Sequence, residues 1–176
     1  MKIQSASPAY GLPGVVTRGG FRSCVAAPIG GRVDRIEISA LAGLPKYGTV
    51  DVVTAEGELG GHTISRHVGK DLRALSARLQ QTKHGMVSTF PDVDSAQRAV
   101  DAAFRGDKAQ KMIGSWLCDP RATRLVLDVT TDGAIGQVLR RGATHLESTN
   151  DARVVLERDP RMPQGYTLLT AYPVLP

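Results

Sequence analysis

The stretch "GGHTISRHVGK", residues 60–70, holds two of the four histidines of this 176-residue chain, His62 and His67. The residues after it, "DLRALSARLQQT", continue a pattern of apolar side chains at intervals of three and four, which predicts an amphipathic helix. Gly69 interrupts the pattern, and Asp71 would be a suitable N-cap for a second helix. The stretch therefore predicts either one long helix or two short ones, with imidazole side chains near the start.

If residues 61–79 form one helix, each residue turns the chain by about 100° around the helix axis. His67 and Arg78 then lie about 20° apart, at the border of the apolar stripe. His62 falls on the opposite side, although a bend at Gly69 would turn it back. We therefore predict that His67 and Arg78 line a cleft at the edge of the core, with His62 as a second candidate.

The two histidines do not have the spacing of a zinc site. They are five residues apart, whereas the HExxH motif needs four, and no third ligand lies nearby. The sequence also has no P-loop, no GxGxxG nucleotide motif and no G-x-S-x-G nucleophile elbow. We expect neither a metal nor a cofactor, and we interpret His84 and His145 as surface residues.

Charge and hydropathy narrow the class of protein. The net charge is +5, but residues 1–48 account for six of the 22 basic residues and only two of the 17 acidic ones. The remainder is close to neutral, so charge alone does not establish a nucleic-acid partner. No apolar run reaches the ~18 residues of a membrane span. The N-terminus also lacks the apolar core of a standard signal peptide.

Residues 1–48 differ in composition from the rest of the chain. They hold eight of the 19 glycines and four of the ten prolines, and only "RVDRIEISAL" (32–41) predicts a strand. We interpret them as a basic lead-in or linker, followed by one domain over residues 49–176. The two cysteines, Cys24 and Cys118, are too few for a disulfide framework, and we expect reduced thiols.

The later part of the chain predicts helices first and strands afterwards. A strand, "MVSTF", precedes the helices "DVDSAQRAVDAAFRG", with Asp94 as N-cap and Gly106 as its end, and "DKAQKMIGSWLCDP". "TRLVLDV" and "AIGQVLRR" predict a hairpin around "TTDG", and "ARVVLER" and "GYTLLTAYPV" predict two more strands. This order is typical of an α+β fold in which N-terminal helices pack on one face of an antiparallel sheet.

Several of these segments together resemble one family: "GGHTISRHVGK", "ARL" with Arg78, "STFPDVDSAQRAV", "GQVLRRG" and the C-terminal "GYTLLTAYP". It is the bacterial pancreatic-ribonuclease-like (RNase A-like) toxin domain found at the C-terminal tips of contact-dependent growth inhibition proteins (the CdiA C-terminal region) and of other polymorphic toxins. The resemblance covers about residues 50–176. It implies a kidney-shaped, RNase A-like α+β fold without disulfides.

The resemblance also implies a function and a set of site residues. Members of the family cleave RNA without a metal and are neutralised by a cognate immunity protein that covers the active site. They act in competition between bacteria, so the protein is expected to be secreted or delivered into the cytoplasm of a target bacterium. The positions that match the family's catalytic residues are His67, Arg78, Thr170 and Tyr172, with His62 as the alternative histidine.

These residue types suit RNA cleavage by the 2′-hydroxyl, which attacks the adjacent phosphorus and leaves a 2′,3′-cyclic phosphate. An imidazole can take the 2′-proton at neutral pH. Arg78 can hold two phosphate oxygens, and Lys70 and Arg66 are predicted to add substrate-binding charge. Thr170 and Tyr172 are two residues apart on a predicted strand, so both would face the cleft, where the phenol could protonate the leaving oxygen.

Two other functions are compatible with the sequence. An RNA-binding module would use arginines as phosphate contacts, namely Arg66, Arg73, Arg78, Arg140 and Arg141. However, the chain has only three Phe, four Tyr and one Trp to stack on bases. ADP-ribosyl transfer would need a late strand glutamate, for which Glu157 is the only candidate.

Overall fold

In the computed structural model of the chain, residues 46–57 and 59–176 are described. The strand predicted at residues 32–41 lies outside them. The prediction of two reduced thiols involves Cys24, so it lies outside the described residues as well. The first described residues already contact α5, because the side-chain amide of Gln110 accepts from Tyr47 N and donates to Tyr47 O.

The described residues form five helices and six strands. The helices are Val52–Ala55 (α1), Thr63–His67 (α2), Leu72–Gln81 (α3), Val93–Phe104 (α4) and Asp107–Cys118 (α5). The strands are Met86–Thr89 (β1), Arg124–Thr130 (β2), Gly136–Arg140 (β3), Glu147–Thr149 (β4), Asp151–Arg158 (β5) and Tyr166–Val174 (β6). Apart from β1, the described strands follow the helices, and all of the strand pairs are antiparallel, which confirms the predicted α+β class. None of the helices described is both long and apolar enough to cross a bilayer.

The strands form two three-stranded antiparallel sheets, in the orders β1-β3-β4 and β2-β5-β6. The predicted hairpin of β2 with β3 is therefore wrong. β2 pairs along its whole length with β5, whereas β3 pairs with β1 and β4. The connection between β2 and β3 leaves one sheet and enters the other, held by hydrogen bonds from Thr131 N to Asn150 O and from Ile135 N to Thr149 O.

Two separate hydrophobic cores explain why the chain crosses between sheets. Leu127 of β2 belongs to the larger core, where α4 and α5 pack on the β2-β5-β6 sheet. Leu139 of β3 belongs to a smaller core with Leu75 and Leu79 of α3. A local hairpin would hold β2 and β3 side by side in one sheet. Burial of apolar side chains in two cores outweighs the local turn preference of "TTDG".

The helix starts agree with the sequence in part. Gly69 has a φ of +64°, and α3 begins after it with Asp71 accepting from Ala74 N at 2.7 Å, so the two-helix prediction is confirmed. The predicted N-cap of α4 is wrong. Asp92, not Asp94, accepts from Ser95 N at 2.6 Å. Asp92 precedes the first helical residue and has extended backbone, as an N-cap requires, whereas Asp94 lies inside the first turn.

The close approach of β3 to β6 makes Gly136 a point of steric sensitivity. In Gly136→Ala the new Cβ would lie 2.3 Å from Pro173 Cγ and 2.8 Å from Thr89 O. We expect the free energy of unfolding in urea to fall by about 1–3 kcal/mol. Gly133→Ala, in the connection just before β3 and with open space around its Cβ, is the matched control and should change the free energy of unfolding by less than about 0.5 kcal/mol. Equal effects of the two variants would contradict this assignment.

Candidate functional site: a cationic cleft between the two sheets

A cleft of about 390 Å³ lies between the two sheets. It is lined by residues of α2, α3, β1, β5 and β6. Six of the seven residues predicted from the sequence line it, namely His62, Arg66, His67, Arg78, Thr170 and Tyr172. The seventh, Lys70, is not among the lining residues; its backbone N–H donates to Thr89 Oγ1 at 2.9 Å.

The five-residue helix α2 is fixed at both ends. At its start, His62 N donates to Leu169 O of β6 at 3.1 Å, and the Thr63 hydroxyl accepts from Ala171 N at 2.9 Å. At its end, His67 O accepts from Phe90 N at 2.7 Å. A helix of this length is unstable alone, so these bonds to both sides of the cleft determine where His67 lies.

The start of α2 is capped from a distant residue. His62 occupies the N-cap position but its side chain makes no capping bond. Glu56 instead accepts from Ile64 N at 2.8 Å and from Ser65 N at 2.9 Å. Burial alone would raise the pKa of Glu56, but the hydrogen bonds from Ser65 and Ile64 outweigh it and hold the pKa below the usual value. The imidazole of His62 is therefore not used for capping and borders the cleft.

A β-bulge in β6 directs Thr170 into the cleft. Leu156 pairs with Leu168, but the next partner of β6, opposite Val155, is Thr170, so Leu169 is an extra residue. Leu168 is in the core, and without the bulge Thr170 would point the same way. The extra residue turns Thr170 to the opposite face, a common role of bulges near functional sites.

His67 is held neutral by its surroundings. Its side chain is only 8% exposed and stacks on Tyr172, with ring centroids 5.2 Å apart. Burial, followed by the positive charge of Arg78, lowers the pKa of His67 from 6.5 to about 3, against an opposing effect of the Ser88 backbone. A neutral imidazole has a free lone pair, so at neutral pH His67 is able to accept a proton.

Arg78 reaches the cleft from α3. Its Nη1 donates to the backbone carbonyl of Arg66 at 2.8 Å, which joins the two helices across the Gly69 break. Burial and the charge of Arg66 lower its pKa, but an arginine remains protonated at any physiological pH. The remaining N–H groups of the guanidinium supply a fixed cation beside His67.

Two polar atoms of the cleft residues are buried without a hydrogen-bond partner in the described part of the chain. They are His67 Nδ1 and the hydroxyl of Thr170, a residue that is only 7% exposed. A buried polar atom without a partner costs about 1–3 kcal/mol, so such atoms mark a place where a ligand can supply the missing bond. Both belong to residues that line the same cleft, and the ligand implied is one rich in hydrogen-bonding groups.

Sequence reasoning missed Arg153, which also lines the cleft. Arg153 is the cross-strand neighbour of Tyr172 and binds Asp128 of β2 through two bonds of 2.7 and 2.9 Å. No local motif marks it; only the correct register of β5 with β6 would have placed it. His84, interpreted as a plain surface residue, is exposed but lines the cleft as well.

Of the residues on which the alternative functions depend, Arg66 and Arg78 line the cleft, whereas Arg140, Arg141 and Glu157 have other partners. Arg140 pairs with Glu147 at 3.0 Å, and Arg141 donates to the carbonyls of three residues around the end of α3. Glu157 pairs with Arg124 at 2.9 Å and does not line the cleft. Within the described residues no three His, Cys, Asp or Glu side chains are grouped as a metal site would require.

The neutral state of His67 makes stability depend on pH. The folded protein binds this proton only near pH 3, whereas the unfolded chain binds it near pH 6.5. Acid therefore favours unfolding, and the contribution is full above pH 6.5 and is lost as pH falls below it. Relative to His67→Phe, which keeps an aromatic ring beside Tyr172, the wild type should lose about 1.4 kcal/mol per pH unit below pH 6.5 in urea denaturation. Parallel curves for the two proteins would show that folding does not shift the pKa of His67.

Comparison with known proteins gives a consistent result. The family model of the bacterial CdiA-CT RNAse A domain matches residues 61–173. Among solved structures, a chain of the crystal structure of a CdiA-CT/CdiI complex from Y. kristensenii 33638 has 35% sequence identity and a TM-score of 0.59. The match covers 65% of this chain and 100% of that one. No curated protein matches the sequence. The chain belongs to the family of bacterial CdiA-CT RNAse A domains.

Proposed function

We propose that the protein is a metal-independent endoribonuclease that cleaves RNA through attack of the 2′-hydroxyl on the adjacent phosphorus. The observation that carries the proposal is the meeting of His67, Arg78, Thr170 and Tyr172 in one cleft. Two of these residues have buried polar atoms without partners among the described residues. Membership of the RNAse A domain family supports the same activity.

In the proposed reaction, neutral His67 takes the proton of the 2′-hydroxyl as the new 2′-O–P bond forms. Proton transfer of this kind typically contributes ~10²–10⁴ in rate. With a pKa of about 3 the free imidazole is a weak base. A bound phosphate diester brings a negative charge next to the ring and raises that pKa, so the substrate itself strengthens the base.

The other residues act on the phosphorane. Arg78 is the cation best placed to hold its non-bridging oxygens, because its guanidinium forms two parallel hydrogen bonds with such groups. The buried Thr170 hydroxyl supplies a further hydrogen bond to the phosphorane. Tyr172 is the proposed proton donor to the departing 5′-oxygen, because its phenol lines the cleft and its ring stacks on that of His67.

His67 is a better candidate for the base than His62. His67 is buried, stacks on Tyr172 and has a positively charged neighbour in Arg78. His62 is half-buried at the start of α2. We assign His62 and Arg66 to substrate binding at the border of the cleft, and Lys70 only to more distant charge.

The biological setting is proposed from the family and from the solved CdiA-CT/CdiI complex. We propose that the protein is a toxin delivered into a target bacterium and neutralised by a cognate immunity protein, with residues 1–48 as a lead-in to the toxin domain. A cleft that carries Arg66, Arg78 and Arg153 fits an immunity protein that presents acidic side chains.

The first test uses a matched RNA and DNA of one sequence with purified protein in EDTA. Only the RNA should be cut, and its new ends should be 2′,3′-cyclic phosphates and 5′-hydroxyls, because DNA lacks the attacking hydroxyl. Mass spectrometry of the fragments identifies the ends. Loss of cleavage in EDTA, or equal cleavage of DNA, would contradict the mechanism.

The second test separates the two histidines. His67→Ala should lower kcat/KM for RNA by at least ~10². His62→Ala should act mainly on KM, and His145→Ala, on the exposed β3–β4 connection, is the matched control without effect. Circular dichroism checks that each variant is folded. An active His67→Ala together with an inactive His62→Ala would transfer the role of base to His62.

A further inference from the structure

Three residues lie in a row across the cleft-facing side of the β2-β5-β6 sheet. Asp128 is paired in register with Arg153, and Arg153 with Tyr172. Both carboxylate oxygens of Asp128 accept from the guanidinium, at 2.7 Å from Nε and 2.9 Å from Nη2. The row continues to His67, whose ring stacks on Tyr172.

The ion pair fixes the direction of the guanidinium. Two N–H groups on one edge of the planar fork are occupied by Asp128, which leaves the other N–H groups for Tyr172, the cross-strand neighbour, and for the cleft that Arg153 lines. The bond to Asp128, with a smaller contribution from Tyr172, raises the pKa of Arg153 further above its usual value. Arg153 is therefore a permanent cation beside the phenol.

Stability alone does not account for this arrangement. The side chains of Arg153 and Asp128 are 42% and 59% exposed. An exposed ion pair of this kind contributes about 0–1 kcal/mol. A comparable pair, Arg124 with Glu157, joins the same two strands without bordering the cleft.

We propose that Arg153, oriented by Asp128, is a positioning residue for Tyr172 in the departure of the 5′-oxygen. This inference rests on the proposed ribonuclease function. Arg153 holds the phenol hydroxyl toward the leaving oxygen and stabilises the negative charge that Tyr172 acquires when it gives up its proton.

The proton balance of the step is closed. The 2′-oxygen bonds to phosphorus, and the proton of the 2′-hydroxyl moves to His67. At the same time the P–O5′ bond breaks, and O5′ receives the proton of Tyr172. The imidazolium and the phenolate that result lie next to each other, and transfer of one proton through water restores both. Arg153 exchanges no proton and acts by its charge and its hydrogen bonds.

Two substrates distinguish the positioning of Tyr172 by Arg153 from simple phosphate binding by Arg153. A dinucleotide expels a 5′-alkoxide, which needs a proton, whereas a nucleoside 3′-(4-nitrophenyl phosphate) expels a nitrophenolate, which does not. Arg153→Gln should lower kcat for the dinucleotide by about 10–10² and leave kcat for the nitrophenyl ester within about threefold. Tyr172→Phe should give the same pattern, and the double variant should be no slower than Tyr172→Phe.

Arg124→Gln is the matched control and should leave both substrates unaffected. Arg153→Lys, which keeps the charge but not the planar fork, should recover part of the dinucleotide rate, and urea denaturation monitors the fold of every variant.

Equal loss on both substrates, no loss on either, or additive effects of Arg153→Gln and Tyr172→Phe would overturn the proposal. A wild type inactive on both substrates would overturn the proposed function and this inference with it. A wild type active on both, with Tyr172→Phe unimpaired, would overturn the inference and leave ribonuclease activity standing.

Discussion

The geometry of the site depends on a helix of five residues that cannot stand alone. α2 is joined to β6 by His62 and Thr63, and His67 and Gly69 bond Phe90, the residue that follows β1. These partners lie in or next to different sheets, so α2 links the two sheets at the border of the cleft. The position of His67 therefore depends on both sheets together.

Burial and positive charge act together on the cleft. Burial removes water from His67, and Arg78 makes a second positive charge there unfavourable. The result is an imidazole that stays neutral in the fold, beside cations that attract an anion. A bound phosphate favours the protonated form of each of these groups, because its negative charge acts on all of them. In the proposed reaction, substrate binding and activation of the base are therefore coupled by electrostatics.

Much of the site followed from local sequence, and the rest depended on pairing between distant strands. The apolar spacing after residue 60, the glycine break and the cap at Asp71 are properties of a few consecutive residues, so the helices around His67 could be predicted. The separation of β2 from β3 into different sheets could not, because it reflects which core each strand covers. The place of Arg153 in the cleft could not be predicted for the same reason, since it follows from the pairing of Arg153 with Tyr172 on the neighbouring strand.

The resemblance to a family supplied Thr170 and Tyr172, but the physical reason that Thr170 faces the cleft is a bulge invisible to the sequence. That bulge has a consequence for a mutational scan along β6. Up to Leu168 the core is reached by even-numbered residues, Tyr166 and Leu168, and after Leu169 by the odd-numbered Ala171. Variants that lower stability and variants that lower activity should alternate along the strand, and the alternation should invert at Leu169. Deletion of Leu169 would remove only the extra residue, so Thr170 and Ala171 would keep their faces, whereas a deletion elsewhere in β6 would shift the hydroxyl and the core residue out of place.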